Sequence, residues 1–269
     1  MSELDAIRLD LTAEQNALER IVIGIDDEAW RTPTASPGWD VRDQIGHLTF
    51  FDGTAALAIS DPDAFAEGVS ALIEAARTVG VDEYTIGAAR RLPPAEVLEL
   101  WRMNRSRLDT ASQSLSEQAR VAWYGPSMGA MSFLTARLME VWAHGQDIVD
   151  ALGADRPASD RLRHIARLGF NTRNWSYIVK GLDAPPSPIR VELSAPNGDR
   201  WTYGPSDAKD TVEGSAEDFC LVVTQRRHVD DTDLQCAGAG REWMLIAQAF
   251  AGGPTNGPAP RGGYGARRV

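Results

Sequence analysis

Residues 135–152, TARLMEVWAHGQDIVDAL, read as a single helix. At about 100° per residue, offsets of four and three bring Glu140, His144 and Asp147 onto one narrow face. An acid and an imidazole one turn apart can aim two ligand atoms at one point, as in helix-borne metal sites. Arg137 shares that face, with Leu134, Leu138, Val141, Ile148 and Val149 on the other side. The same division describes an ordinary solvent-facing stripe, and spacing alone leaves both readings open. A metal site would need a third donor. His47, in SPGWDVRDQIGHLTFFD (residues 36–52), is the candidate, although a histidine bordering an apolar stripe also reads as a hydrogen-bonded core residue.

The surrounding sequence predicts more helices. Ser2 can cap a first one whose stripe runs through Leu4, Ile7, Leu11, Leu18, Ile21 and Val22 to Gly24. Asp40 followed by Asp43 is a carboxylate form of the capping box, opening a helix with Val41, Ile45, Leu48 and Ala55 on one stripe. Residues 61–90 suggest one or two short helices. Pro93 and Pro94 suit a helix start, since a first-turn proline forfeits no intrahelical bond. Ser132 is a plausible cap for the 135–152 helix and Gly153 its end. A fifth helix is expected over residues 158–181. The texture then changes: DAPPSPIR (183–190) reads as a linker, and Asn197-Gly198 between alternating runs is a strong hairpin signal. DTVEGS reads as a continuation of the sheet, followed by helices in GSAEDFCLVVTQ and REWMLIAQAF. The expected architecture is α+β: a helical bundle over 1–182, a small α+β domain over 183–252, and a flexible, low-complexity tail over 253–269.

Composition narrows the function classes. The formal charge of −11 over 269 residues argues against nucleic acid as the main partner, since phosphate contacts need concentrated Lys and Arg. No apolar run approaches the length of a membrane span, and the acidic, amphipathic N-terminus does not read as a signal peptide. A cytoplasmic protein is the expectation, with Cys220 and Cys236 as free thiols rather than a disulfide.

Two stretches, GWDVRDQIGHLTFFD and ARLMEVWAHGQDIVDAL, resemble the paired signatures of the mycothiol-dependent maleylpyruvate isomerase family. That family is similar to the DinB-like metal-binding four-helix bundles, and several of its members carry a small α+β C-terminal domain. The resemblance implies a metal at His47, Glu140 and His144. Two imidazoles and a carboxylate leave coordination positions open, as catalytic rather than structural zinc requires. Zinc is the first expectation, and Ni, Mn or Fe(II) would also suit these donors. Asp43 and Asp147 are expected to accept the ring N–H of a ligating histidine, with helix capping and an exposed face as their bland alternatives.

The resemblance further implies a low-molecular-weight thiol, mycothiol or another such as glutathione, that adds to a small acidic substrate, allows cis–trans isomerisation and leaves again. A metal-bound thiolate is nucleophilic at neutral pH, so no protein cysteine is needed. The family pattern places a substrate-binding arginine in the C-terminal domain. Arg226 in VVTQRRH matches it best, although Gln225 stands where a glycine is usual, and Arg226 and Arg227 also read as surface charges. His164 and His228 read as surface residues, while Trp39 and Trp142 could wall a pocket. The first expectation is an isomerase or transferase acting on a small molecule with a thiol, with homo-oligomerisation open because bundle faces commonly pair. The alternative is a non-catalytic metal-binding protein, a sensor or stress-associated binder, on the same bundle.

Overall fold

The computed structural model describes residues 2–261. Residues 262–269, which include the basic end of the expected tail, lie outside the described residues, as does Met1. The chain divides into two compact units, residues 1–156 and 157–269. The division falls at Arg156/Pro157 rather than at residue 182. The stretch expected to be a fifth bundle helix has an apolar stripe, Leu162, Ile165, Ala166 and Gly169, that packs within the second unit.

The first unit opens with α1 (Glu3–Val22), whose Ser2 and Asp5 form a reciprocal capping box. A short 3-10 turn, Ala29–Arg31, leads to α2 (Val41–Ser60), and Asp40 and Asp43 cap it as the sequence predicts. Next come α3 (Pro62–Thr78), α4 (Val81–Arg90) and α5 (Pro94–Ser112), the first and last with proline in the first turn. A small antiparallel ribbon, β1 (Arg120–Val121) and β2 (Met128–Gly129), precedes α6 (Ala130–Leu152). The ribbon brings α6 in from Gly129, three residues before the expected Ser132 cap, and left-handed Gly153 ends it. Helix α2 packs on α5, α4 and α6, and α6 also packs on α1.

α6 is buried nearly all round. Leu134, Leu138, Val141 and Ile148 are fully buried on one side, while the Arg137 and Asp147 side chains on the other are only 4% and 6% exposed. That rules out the solvated-stripe reading of this face. Its polar groups are bonded to the neighbouring helices. Asp52 on α2, wholly buried, accepts from Arg137 (α6), Gln15 (α1) and Trp101 (α5), so one carboxylate ties four helices together.

In the second unit, α7 (Leu162–Asn171) and α8 (Arg173–Ile178) break at Thr172, whose hydroxyl bonds back to Leu168 and Gly169. A four-stranded sheet follows, with spatial order β4-β3-β5-β6. Its strands are β3 (Ile189–Ser194), β4 (Arg200–Tyr203), β5 (Asp210–Ser215) and β6 (Gln235–Ala237). The Asn197-Gly198 hairpin joins antiparallel β3 and β4, with Gly198 at φ +90°. β5 runs parallel to β3 and pairs antiparallel with β6. Helix α9 (Ala216–Val223), capped by Ser215, and α10 (Ala239–Ile246) complete the unit. Part of the expected tail is tied down: Thr255 bonds to Gln225 and Gln248, and the Arg261 N–H to Asp231.

α2 and α4 meet without a side chain between them at Gly46, where an added Cβ would stand 2.7 Å from the Ala89 Cβ. Neither atom can swing aside, so Gly46→Ala should cost about 1–3 kcal/mol. Urea unfolding should show a lowered midpoint for Gly46→Ala and partial recovery when Ala89→Gly is added. An unchanged midpoint would mean that the two helices are not held at this spacing.

Candidate metal centre

Glu140 and His144 leave α6 one turn apart, and α2 delivers His47 to the same place. His144 Nε2 lies 3.1 Å from Glu140 Oε2, and His47 Nε2 lies 3.5 Å from that same oxygen. One donor atom from each residue falls within 4.8 Å of the others, and the two imidazole centroids are 4.2 Å apart. The side chains keep 16%, 25% and 12% exposure for His47, Glu140 and His144, so a small ligand can reach the cluster.

Hydrogen bonding fixes what these atoms can do. Gln44, fully buried one turn before His47, donates through Nε2 to Thr34 Oγ1 at 2.8 Å and Ser36 Oγ at 3.0 Å. Its Oε1 is thereby left to accept from His144 Nδ1 at 2.6 Å. These partners assign the Nδ1–H tautomer to a neutral His144 ring and put a lone pair on Nε2, facing a carboxylate oxygen. Two acceptors at 3.1 Å need a proton or a cation between them, and a divalent cation would also take the nearby His47 lone pair. The donor set, two imidazole nitrogens and one carboxylate oxygen, is that of a three-ligand site with open positions.

The electrostatics point the same way. Burial, with His144 beside it, pushes the His47 imidazole down to about 4, so it is neutral and a competent donor near pH 7. Burial works against ionisation of Glu140, but the facing His144 and His47 rings, whenever one of them carries a proton toward it, outweigh burial and hold the carboxyl well below its usual range.

The expected outer partners are only partly in place. Asp43 does not accept from a ligand histidine; its carboxylate is gripped by Arg90 at 3.0 and 2.9 Å and caps its own helix. Asp147 Oδ2 stands 3.9 Å from His144 Nδ1, beyond a hydrogen bond. Gln44 takes the role. Its signal was available, a polar residue three before His47 on an otherwise apolar helix face, but nothing in the pattern distinguished it from a solvent-facing glutamine.

Aromatic rings line the rest. Trp39 stacks on His144 at 6.1 Å and meets His47 at 5.2 Å, with its indole N–H held by Asp82 at 2.9 Å. Phe51 lies 4.5 Å from His47, with Trp123 and Tyr124 behind it. Trp142 is not part of this wall; it is buried beneath the Arg156 guanidinium.

Arg226 belongs to the second unit, on the turn after α9, where Nη1 donates to the Thr224 carbonyl at 2.7 Å. Gln225 before it adopts φ +60°, a left-handed conformation that favours glycine and that no other non-glycine among the described residues shows. Its amide, bonded to Ala247 and Thr255, holds it there. Cys220 is a free thiol in the core of that unit, Cys236 a half-buried one, and burial pushes both thiols up, away from reactivity. His228 caps the 3-10 turn Val229–Asp231.

Comparison with known proteins adds sequence and fold relatives. Residues 11–149 match the family model described as mycothiol maleylpyruvate isomerase N-terminal domain. Residues 185–236 match a second model, described as wyosine base formation. The uncharacterised protein Rv0036c of Mycobacterium tuberculosis strain H37Rv is 45% identical over 249 residues, which is 92% of this chain and 96% of that protein. The uncharacterised protein MT0041 of strain CDC 1551 matches to the same extent. A crystal structure of the mycothiol-dependent maleylpyruvate isomerase superposes with a TM-score of 0.55 at 18% identity, covering 88% of this chain and 93% of that one. A histidine-to-alanine mutant of that enzyme superposes at 0.53, covering 84% and 90%. At this identity the likeness is one of fold.

Elemental analysis of the purified protein should find about one transition-metal ion per chain, with strong loss in His47→Ala and His144→Ala. Gln44→Ala should bind ~10–100-fold more weakly, since it frees the ring it orients, whereas Asp43→Asn should bind as the parent does. Full metal in the His47 variant would dismantle the cluster. Acid should also destabilise the metal-free protein. The folded His47 refuses a proton, down to about 4, that the unfolded chain accepts near 6.5. Stability is therefore full above that upper value and declines as pH falls through the window. A urea midpoint that stays flat across it would contradict the assignment.

Proposed function

The chain belongs to the mycothiol maleylpyruvate isomerase N-terminal domain family, and on that premise we propose that it is a metal-dependent enzyme. In this reading it uses a low-molecular-weight thiol, mycothiol first, to isomerise or transfer onto a small acidic substrate. The observation that carries it is the convergence of His47, Glu140 and His144 beside an aromatic-walled opening, with Gln44 fixing the ring that presents a bare Nε2.

A divalent cation in this cluster, zinc by preference, would lower the pKa of an incoming thiol and keep it as thiolate at neutral pH. The residues of the chain do the remaining work. Gln44 holds His144 in one tautomer, so the donor set is formed before any ligand arrives. Trp39, pinned by Asp82, and Phe51 restrict water around the two imidazoles. Adding a thiolate to one carbon of a cis double bond permits rotation about the resulting single bond. Expelling the same thiolate restores a trans double bond with no net change in atoms. Because Cys220 and Cys236 are buried or half-buried with raised pKa values, the sulfur is assigned to an external thiol. Arg226 remains proposed as a carboxylate-binding residue. Such thiols stay reduced in the cytoplasm, and we place the protein there, with small molecules rather than nucleic acid or membrane as its partners.

A second reading, a metal-binding protein without turnover, is favoured by one observation. Arg226 Nη1 donates to the Thr224 carbonyl two residues before it, so that donor is taken up within the second unit.

Zinc-loaded protein incubated with mycothiol and maleylpyruvate separates the two by ultraviolet absorbance. Turnover that needs both metal and thiol, and disappears in His144→Ala, is the expected result. Stoichiometric metal with no thiol-dependent change in this or related cis-alkene acids would leave the binder as the function.

A further inference from the structure

Arg137 lies on the same face of α6 as Glu140 and His144, three and seven residues before them. Its side chain is only 4% exposed, and Nε and Nη2 both donate to Asp52 Oδ1, at 3.3 and 2.9 Å. Asp52, 0% exposed, spends its other oxygen on the Gln15 amide at 3.2 Å and the Trp101 indole at 3.1 Å. This is an expensive arrangement. A buried ion pair rarely stabilises a fold better than well-packed apolar residues of the same volume. Tying helices together does not by itself call for an arginine.

The guanidinium is only half used. Arginine presents five N–H donors in a planar fork. Here Asp52 takes the Nε and Nη2 edge, and among the described residues Nη1 has no hydrogen-bond partner. Unlike the Nη1 of Arg105, it is not sealed off from solvent. The guanidinium sits 6.0 Å from the centroid of Phe51, the ring that lies 4.5 Å from His47. Its charge is felt at His47 and at Tyr124, whose ring lies 5.7 Å from Phe51 in the same aromatic wall. A fixed, desolvated cation with spare donors next to an open ligand cluster is built to receive an anion. Its back is already braced, so little ordering is left to be done on binding.

We propose that the unspent Nη1 edge of Arg137 binds a carboxylate of the small acidic molecule received at the His47–Glu140–His144 cluster. This rests on the functional reading above and assigns a substrate contact within the first unit itself, independent of Arg226. Asp52, Gln15 and Trp101 are then positioning residues, which hold the guanidinium with that edge turned outward.

Isothermal titration of maleate into zinc-loaded protein tests it, with dimethyl maleate as the uncharged control. Arg137→Lys keeps a positive charge against Asp52 but loses the second edge of the fork. The parent should bind maleate, and Arg137→Lys should bind it about tenfold more weakly or worse, with zinc content unchanged and no difference for the diester. If the lysine variant folds poorly, Asp52→Asn with Arg137→Gln exchanges the ion pair for an amide pair and should show the same loss. Maleate binding that is absent from the parent, or equal in parent and variants, overturns the assignment. Failure of the enzymatic reading is separate: it would appear as no thiol-dependent turnover while Arg137-dependent maleate binding persists.

Discussion

The bond from His144 Nδ1 to Gln44 Oε1, 2.6 Å long, is the contact on which the candidate site depends. It crosses from α6 to α2, and it is directional at both ends. The Thr34 and Ser36 hydroxyls occupy the amide nitrogen of Gln44, so only its oxygen is left for the ring. The far nitrogen of His144 is then committed to the side where Glu140 and His47 stand. Remove that constraint and the ring can rotate or change tautomer, and three well-placed residues no longer converge.

Around this contact the first unit buries many polar groups, and several of them, Gln15, Asp43, Gln44, Asp52 and Arg137, are bonded to another helix. Asp52 links α1, α2, α5 and α6, and Arg8 on α1 donates to the carbonyls of Ser112, at the end of α5, and of Leu115 just beyond it. Such bonds contribute modestly to net stability, but leaving any of them unmade would be costly. They therefore fix register: a helix that slid by one turn would strand several buried charges at once. Geometry at the cluster inherits that rigidity, with ligand atoms carried on long helices rather than on loops.

Much of this was legible in the sequence, for reasons that are physical. The Asp40–Asp43 box, Pro94 and Gly153 set helix ends through local bonds or dihedral limits, and the structure uses all three. The Asn197-Gly198 turn likewise acts locally. The i, i+4 spacing of Glu140 and His144 fixes their shared face wherever the helix lies. What the sequence could not settle was set by tertiary contact. The polar face of α6 matched a solvated stripe until its neighbours were known. Asp43 had a plausible role beside His47 until Arg90, forty-seven residues away, claimed its carboxylate. The assignment of residues 162–178 to the second unit depends on α9, which lies far along the chain and carries no local mark of its partner. Strand β6, only three residues long, exists because β5 offers it an edge.

In the proposed site one imidazole from α2 and a carboxylate and imidazole from α6 close on a single cation. Anomalous diffraction from crystals of the metal-loaded protein, collected at the metal's absorption edge, tests it most directly. One peak is expected about 2.0–2.2 Å from His47 Nε2, His144 Nε2 and a Glu140 oxygen, with Gln44 still bonded to His144 Nδ1. A peak elsewhere in the chain, or one at this place that leaves His47 uncoordinated, would contradict it.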